Sequence, residues 1–249
     1  MLKEERHKLI MREINLHNKV LSNDLSALLN VSVDTVRRDL KELVAGGKIL
    51  KVHSGAISKS LVSPFMGSSE VYAQEAKKQI AAKALTLLKN DMVVLTEGGT
   101  TILELAKAIP ENLYATFLTI SPHVAITLSG HANLTVITIG GRLHKNTNLH
   151  IGASVVNQLS EYKVDLCLLG ANALSVEEGL TDVDWEVVQV KKAIVRTAKK
   201  AAVLCITEKL NTSQRIRICE LEKLSYLVTE LDPGDPELDN FRASELTLL

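Results

Sequence analysis

The chain has 249 residues, 46% of them hydrophobic and 23% charged, with a formal net charge of zero. That length suits a small domain joined to a medium one, and that composition supports a packed core. A disordered, collagen-like or disulfide-framed secreted chain is excluded. The zero hides an asymmetry, because residues 1–60 hold eleven Lys and Arg against seven Asp and Glu, and the remainder eighteen against twenty-two. A basic small end on an acidic large end points to a nucleic-acid module attached to something else. Aromatics at 3% argue against the exposed rings on which single strands and RNA stack.

Residues 2–17 place Leu9, Ile10, Ile14 and Leu16 at helical intervals among Lys, Glu and Arg, an amphipathic first helix. Asn18-Lys19 breaks it, and Ser22 is read as the N-cap of a short second helix with Leu25, Leu28 and Leu29 inward. Asn30-Val31-Ser32 is a tight turn, after which Ser32 caps a third helix from Val33 to about Ala45 with Val36, Leu40, Leu43 and Val44 as its buried stripe. Gly46-Gly47 ends that helix, since Gly tolerates the left-handed cap. Residues 48–57 then alternate apolar and polar around a Gly, a small β-wing.

Helix, helix, short turn, helix and wing make a winged helix-turn-helix, expected over residues 1–57. The third helix is the expected reader of double-stranded DNA. Ser32, Asp34, Thr35, Arg37, Arg38 and Lys41 lie away from its apolar stripe, near the end that enters a major groove. Arg bonds guanine O6 and N7 in a bidentate way, whereas Ser, Thr and Lys hold phosphates. Ser22 and the wing's His53 complete the candidate DNA-binding set. The competing reading makes Arg37-Arg38-Asp39 a solvated face with internal ion pairs.

The run Val31-Ser32-Val33-Asp34-Thr35-Val36-Arg37-Arg38-Asp39-Leu40, followed by a His-x-Gly-Ala wing, closely resembles the DeoR family of bacterial transcriptional regulators. The family signature Ser-x-x-Thr-[Ile/Val]-Arg-Arg-Asp-Leu is complete. The wing reads His53-Ser54-Gly55-Ala56 where the family usually has His-Gly-Gly-Ala.

Residues 58–71 are Ser-rich with one Pro and one Gly, an expected linker to a second domain over residues 72–249. A helical pattern over 72–89 precedes short β-rich runs at 92–96, 116–120, 134–139, 164–169, 202–206 and 226–229. Helical runs intervene at 102–109, 122–128, 152–161 and 185–199. Such alternation predicts an α/β domain, a mostly parallel sheet in three layers. Residues 112–141 carry no Asp, Glu, Lys or Arg, yet Ser121-Pro122, Gly130-His131 and Asn133 break them into strand, helix and strand rather than a membrane span. The N-terminus has no apolar signal region, so a cytoplasmic location is expected.

In sheets of this kind ligands sit beyond the C-terminal strand ends. Glu97-Gly98-Gly99-Thr100-Thr101 leads from a strand into a helix, offering close backbone approach, hydroxyl donors and a helix N-terminus that favours an anion. It is neither a Walker loop nor a dinucleotide fingerprint. Thr119, Gly140, Gly141, Gly170, Asn172, Gly179, Thr181 and Lys209 recur at or near the other strand ends, together a candidate site for a small anionic effector. The resemblance implies the family's sensor domain, similar in fold to ribose-5-phosphate isomerase and expected to bind a phosphorylated sugar. Against the family pattern, Glu97-Gly98 replaces Asp-Ser, Ile120 stands where Asn is common, and Ala173 replaces a Gly. Ile206 replaces the Asp three residues before Lys209.

Three functions compete: an effector-controlled repressor, a sugar-phosphate isomerase or deaminase, and an architectural DNA-binding protein. An enzyme needs a carboxylate poised near neutral pH, for which Asp182, Asp184 and Glu186 are available, although acidic residues at a helix start usually cap it. A fused DNA reader gives catalysis little purpose, so no catalytic residue is assigned. One winged helix makes few contacts, so a homo-oligomer, dimer or tetramer, is expected. Cys167, Cys205 and Cys219 fit no metal spacing, and His144 and His150 share a loop without a third ligand, so neither metal nor cofactor is expected.

Overall fold

Ile10 and Ile14 of helix α1 (Lys3–His17) pack into one core with Leu25 and Leu29 of α2 (Ser22–Leu29) and with Val36, Leu40 and Leu43 of α3 (Val33–Ala45). This computed structural model describes residues 1–17, 19–58 and 71–249. They divide into two compact units, Met1–Tyr72 and Ala73–Leu249. The linker expected over 58–71 falls almost wholly outside the described residues, as does Asn18. Asn30 takes the left-handed conformation, with φ 50°, that turns α2 into α3, and the Ser32 hydroxyl caps α3 by accepting from Thr35 N at 3.2 Å. Gly47 supplies the left-handed step after α3, with φ 68°.

The wing, β2 (Ile49–Val52) and β3 (Gly55–Ser58), forms as expected but gains a third strand, β1 (Lys19–Leu21), in the order β1-β3-β2. Three residues are too few for alternation to show, so β1 was read as a break. It explains the wing glycine: a Cβ on Gly55 would lie 1.8 Å from Val20 O. It also corrects the reading of Ser22. Leu21 occupies the cap position without a side-chain bond, and Ser22 is the buried first residue of α2, its N–H donated to Ser54 O at 2.8 Å.

The large unit is built on seven parallel strands, β4 (Val93–Thr96), β5 (Ala115–Thr119), β6 (Leu134–Thr138), β9 (Val164–Gly170), β12 (Ala198–Leu204), β14 (Tyr226–Val228) and β15 (Thr247–Leu248). Their order is β15-β14-β12-β9-β4-β5-β6, and every pairing is parallel. Leu95, Cys167, Leu169 and Val203 share one core with Val155 and Leu159 of α7 (Ala153–Ser160) and with Val187, Val190 and Ile194 of α8 (Trp185–Thr197). Their neighbours Val94, Leu166, Leu168 and Ala202 are buried on the opposite face. There α4 (Gln74–Leu85) and α5 (Thr100–Ala108) pack on the sheet and α6 (Pro122–Leu128) packs beside them. Both faces are covered, which is why the strands read as continuous apolar runs.

Two small antiparallel additions escaped the sequence reading. One is the hairpin of β7 (Arg142–Leu143) and β8 (His150–Ile151). The other is a three-stranded sheet of β10 (Ala173–Ser175), β11 (Gly179–Asp182) and β13 (Ile216–Cys219). Among the described residues no helix is long and apolar enough to cross a membrane.

The small unit is clamped by an ion pair placed on α3 itself. Asp39 is buried, with its side chain only 3% exposed. It receives Arg6 Nε at 2.6 Å, Arg6 Nη2 at 2.9 Å and His7 Nε2 at 3.1 Å, all from α1. Burial pushes its carboxyl up, but the hydrogen bonds from Arg6 and His7 outweigh it and hold the group below its ordinary range. Stability from this contact is therefore present above the ordinary carboxylate value and lost as pH falls through the lowered one. Asp39→Asn should cost about 1–3 kcal/mol at pH 7. Amide exchange of α3 in the whole chain checks it, the variant's deficit shrinking as pH falls below the ordinary carboxylate value; a constant deficit refutes the linkage.

Candidate functional site

In the small unit the winged-helix frame presents most of the expected DNA set together. Ser32, Asp34, Arg37, Arg38 and Lys41 are exposed along α3, Thr35 is half-buried in its first turn, and His53 is exposed in the turn between β2 and β3. Ser22 is buried and lies apart from that face. Arg37 bonds Asp34 at 3.1 Å, an exposed pair one turn apart, which is weak in water. Arg38 and Lys41 have no ion pair among the described residues. Asp39 is no part of a solvated face, because it points the other way, into Arg6 and His7.

In the large unit two clusters of strand-end residues meet at Glu97-Gly98. The first gathers the ends of β4, β5 and β8. A Cβ on Gly98 would lie 2.6 Å from Leu149 and 2.9 Å from Ser121, and His150 donates its N–H to Ile120 O at 2.8 Å. Thr119 is buried with its hydroxyl spent within the cluster, donated to Glu97 O at 3.0 Å and accepting from Ser121 N at 3.1 Å. Gly140 and Gly141 join through α7: Gln158 bonds Gly140 O at 2.8 Å, and a Cβ on Gly141 would lie 2.4 Å from Val155.

Helices α5 and α7 both begin without a side-chain cap, at Gly99 with φ 92° and Gly152 with φ 106°. By contrast, Ser121 caps α6 and Asp184 caps α8. Nothing lies within 4 Å of the place a Cβ would take on Gly99, Gly140 or Gly152. Close approach to Gly99 therefore rests on its positive φ and open surroundings, while Gly98 is the glycine that packing demands. Thr100 and Thr101 form the first turn of α5, half-buried.

The second cluster is ionic. Lys191 of α8, unassigned by the sequence reading, is buried with Nζ 3.3 Å from Glu97 Oε2, 3.2 Å from Asp182 Oδ2 and 3.1 Å from Gly170 O. Burial works against its charge, and the two carboxylates more than outweigh it, so its pKa is raised. Burial pushes Glu97 up to about 7 despite Lys191. Asp182 is held below its ordinary value, because Lys191, Asn172 and the Val183 amide overcome its burial. Asn172 Nδ2 bonds Asp182 Oδ1 at 3.1 Å. Lys209, in a short turn after β12, is buried with Nζ donating to Ala171 O at 2.9 Å. Burial lowers its pKa to about 8. Lys77 of α4 is buried too and lowered to about 7, by burial and then by Lys209.

Two expected site residues serve the small sheet. A Cβ on Gly179, whose φ is +67°, would lie 2.2 Å from Cys219 O, and the Thr181 hydroxyl accepts from Gln214 N at 2.8 Å. The substituted positions Ile120, Ala173 and Ile206 are buried. Lys191 and Lys77 had a readable signal: each sits three or four residues from apolar residues of its helix's buried stripe, Val187 and Ile194 for one, Ile80 and Ala81 for the other. The carboxylates that catalysis would need are engaged. Asp184 accepts from Glu186 N at 3.2 Å and Val187 N at 3.4 Å, and Glu186 pairs with Arg142. Among the described residues no His, Cys, Asp and Glu group is arranged to hold a metal.

Comparison with known proteins decides what this assembly is. The DeoR-like helix-turn-helix domain matches residues 6–61 and the DeoR C terminal sensor domain residues 72–231. The chain belongs to the DeoR family. It is 32% identical to the HTH-type transcriptional regulator GlpR of Haloferax volcanii, over 92% of this chain and 91% of that one. It is 30% identical to the HTH-type transcriptional regulator GolR of Listeria innocua, over 91% and 90%. It is 29% identical to the HTH-type transcriptional repressor GlcR of Bacillus subtilis, over 100% and 96%. Ribose 5-phosphate isomerase A of Methanocaldococcus jannaschii aligns at 19% identity and a TM-score of 0.41, over 55% of this chain and 54% of that one. The chain is a DNA-binding transcriptional regulator with a sensor domain, not an enzyme.

The buried lysines make the sensor domain's stability depend on pH. The folded Lys209 releases its proton at about 8 instead of the ordinary 10.5, so the folded state binds fewer protons between those values. Wild-type stability should rise with pH across that window. Lys209→Met should raise the melting temperature of the ligand-free protein at pH 7, the gain shrinking toward pH 10. Calorimetry at both pH values checks it; a gain that does not shrink refutes the assignment.

Proposed function

We propose that this regulator is a repressor of a sugar-metabolism operon, acting as a homo-oligomer and controlled by a small phosphorylated sugar. The carrying observation is the start of α5 at Gly99, where among the described residues no side-chain oxygen caps the helix. A helix N-terminus is a ready anion site, and the buried ammonium group of Lys209, close enough to Glu97 to feel its charge, would add a positive group beside it. Glu97, Gly170 and Asn172 surround the floor of the same site. With Ile120, Ala173 and Ile206 buried and apolar, the effector is one with few hydroxyls to satisfy. Repression accords with the name of the Bacillus relative.

DNA recognition follows from the exposed face of α3. Arg37→Ala and Arg38→Ala should each cost on the order of 1–3 kcal/mol in operator affinity where the guanidinium reads a base. Lys41→Ala should weaken operator and random DNA alike and reduce the salt slope by about 1. Fluorescence anisotropy at several salt concentrations measures both; undiminished operator binding in both folded Arg variants would sink the reader-helix assignment.

Effector binding should stabilise the folded chain by about 2.7 kcal/mol at a hundred times the dissociation constant. Gly99→Val forces a branched residue into φ 92° and should abolish that gain by displacing the loop, while Lys209→Ala should weaken it. A thermal-shift screen of sugars with and without phosphate, on wild type and both variants, decides the point. A best binder that is unphosphorylated and indifferent to both positions refutes the phosphate site but not the repressor.

A further inference from the structure

The two edges of the seven-stranded sheet are built differently. β15 at one edge is two residues long, and shortness alone protects an edge strand from pairing with another chain. β6 at the other edge runs five residues, Leu-Thr-Val-Ile-Thr, with no Pro, Lys or Glu to discourage pairing. Its inner side is fully used, in unbroken parallel register with β5 from Ala115↔Leu134 to Thr119↔Thr138. Ile139 extends that pattern, donating its N–H to Thr119 O at 2.9 Å. Backbone groups alternate in direction along a strand. Thr135 and Ile137 therefore turn theirs toward β5 with Ile139, and Val136 and Thr138 turn theirs outward. Among the described residues no strand pairs with that outer side.

The strand and the elements that precede it come from an uncharged stretch of chain. Residues 112–141, which supply β5, α6 and β6, include no Asp, Glu, Lys or Arg. Thr135 and Thr138 are exposed, Leu134, Val136 and Ile137 are half-buried, and Ile126 on the adjoining α6 is 68% exposed.

We propose that β6 pairs with β6 of a second copy, antiparallel about a two-fold axis, so that the two sheets become continuous. A two-fold contact brings one patch against itself. An uncharged strand meets itself without opposing like charges or burying an unpaired one. A partner recognised through charge would find no complement here, whereas an identical edge offers matching donors, acceptors and β-branched side chains. This pairing rests on the homo-oligomer reading and names the surface responsible.

Sedimentation velocity on the full chain tests it, with Val136→Pro, Thr138→Lys and Thr247→Lys beside wild type. Val136→Pro removes an outward N–H while keeping the bonds to β5, because Pro is tolerated where an edge N–H faces outward. Thr138→Lys sets like charges across the axis, and Thr247→Lys does the same to the short edge. The first two should halve the assembled mass at least, and the third should leave it unchanged. In wild type, the Val136 and Thr138 amides should exchange at least ~100-fold more slowly than in an unstructured peptide. That measurement decides the matter alone if a variant fails to fold. A monomeric wild type overturns both the oligomer and the pairing. A wild-type oligomer whose mass ignores both β6 substitutions, or whose two amides exchange freely, overturns the pairing and leaves the oligomer standing.

Discussion

One ammonium group, Lys191 Nζ, holds three strand ends of the large unit together. A charge with almost no access to water must be met by partners, or the fold bears its full desolvation cost. Lys191 meets it with Glu97, Asp182 and the Gly170 carbonyl, at the ends of β4, β11 and β9. One residue on one helix thus fixes the spacing of three strand ends. Glu97 in turn is joined to the Gly98-Gly99 loop, so the start of α5 is aimed by the same contact. Removing the charge would leave two buried carboxylates facing one another. The proposed effector site therefore cannot be separated from the packing of α8 on the sheet.

Four helices begin near these strand ends, and the chain treats their unpaired amides in two ways. Ser121 and Asp184 cap α6 and α8 with their own oxygens. α5 and α7 start instead at glycines in the left-handed region, with no side-chain oxygen supplied. A glycine start costs only about a few tenths of a kcal/mol relative to a good cap, but two in one region make a local deficit of side-chain hydrogen-bond acceptors. Burial lowers Lys209 to about 8 and Lys77 to about 7, so an anion nearby would favour their charged forms. Helix-start amides with no side-chain acceptor, beside buried ammonium groups, are the complement of an anion.

The main architecture was legible because both faces of the central strands are buried. Runs such as Val93–Thr96 and Val164–Gly170 are apolar throughout, and the structure places them within a residue or so of where composition did. The reader helix was legible for another reason: Ser32 is a true cap and Val36, Leu40 and Leu43 a true stripe. What stayed hidden was short or paired at long range. β1, β7 and β8 span two or three residues each, below the length at which alternation shows. Asp39, Lys77 and Lys191 were hidden by chemistry, since a charged residue is normally taken to face water. Their positions on apolar stripes said otherwise, but their partners stand far off in the chain: Asp39 is 33 residues from Arg6.

The small unit applies the same device to a different end. Successive residues on a helix are turned by about 100°, so Arg38 and Asp39 cannot share a face. Asp39 goes inward to Arg6 and His7, and that choice leaves Arg38 outward, with no ion pair among the described residues. The clamp therefore sets the rotation of α3 about its own axis without using any group that DNA would need. Apolar packing alone tolerates sliding and rolling of a helix over its neighbours, because dispersion has no direction. A bidentate guanidinium contact does have direction. Placing it on α3, the proposed reader, beside the outward arginine, makes the angle at which Arg38 is presented a property of the folded protein before any DNA arrives.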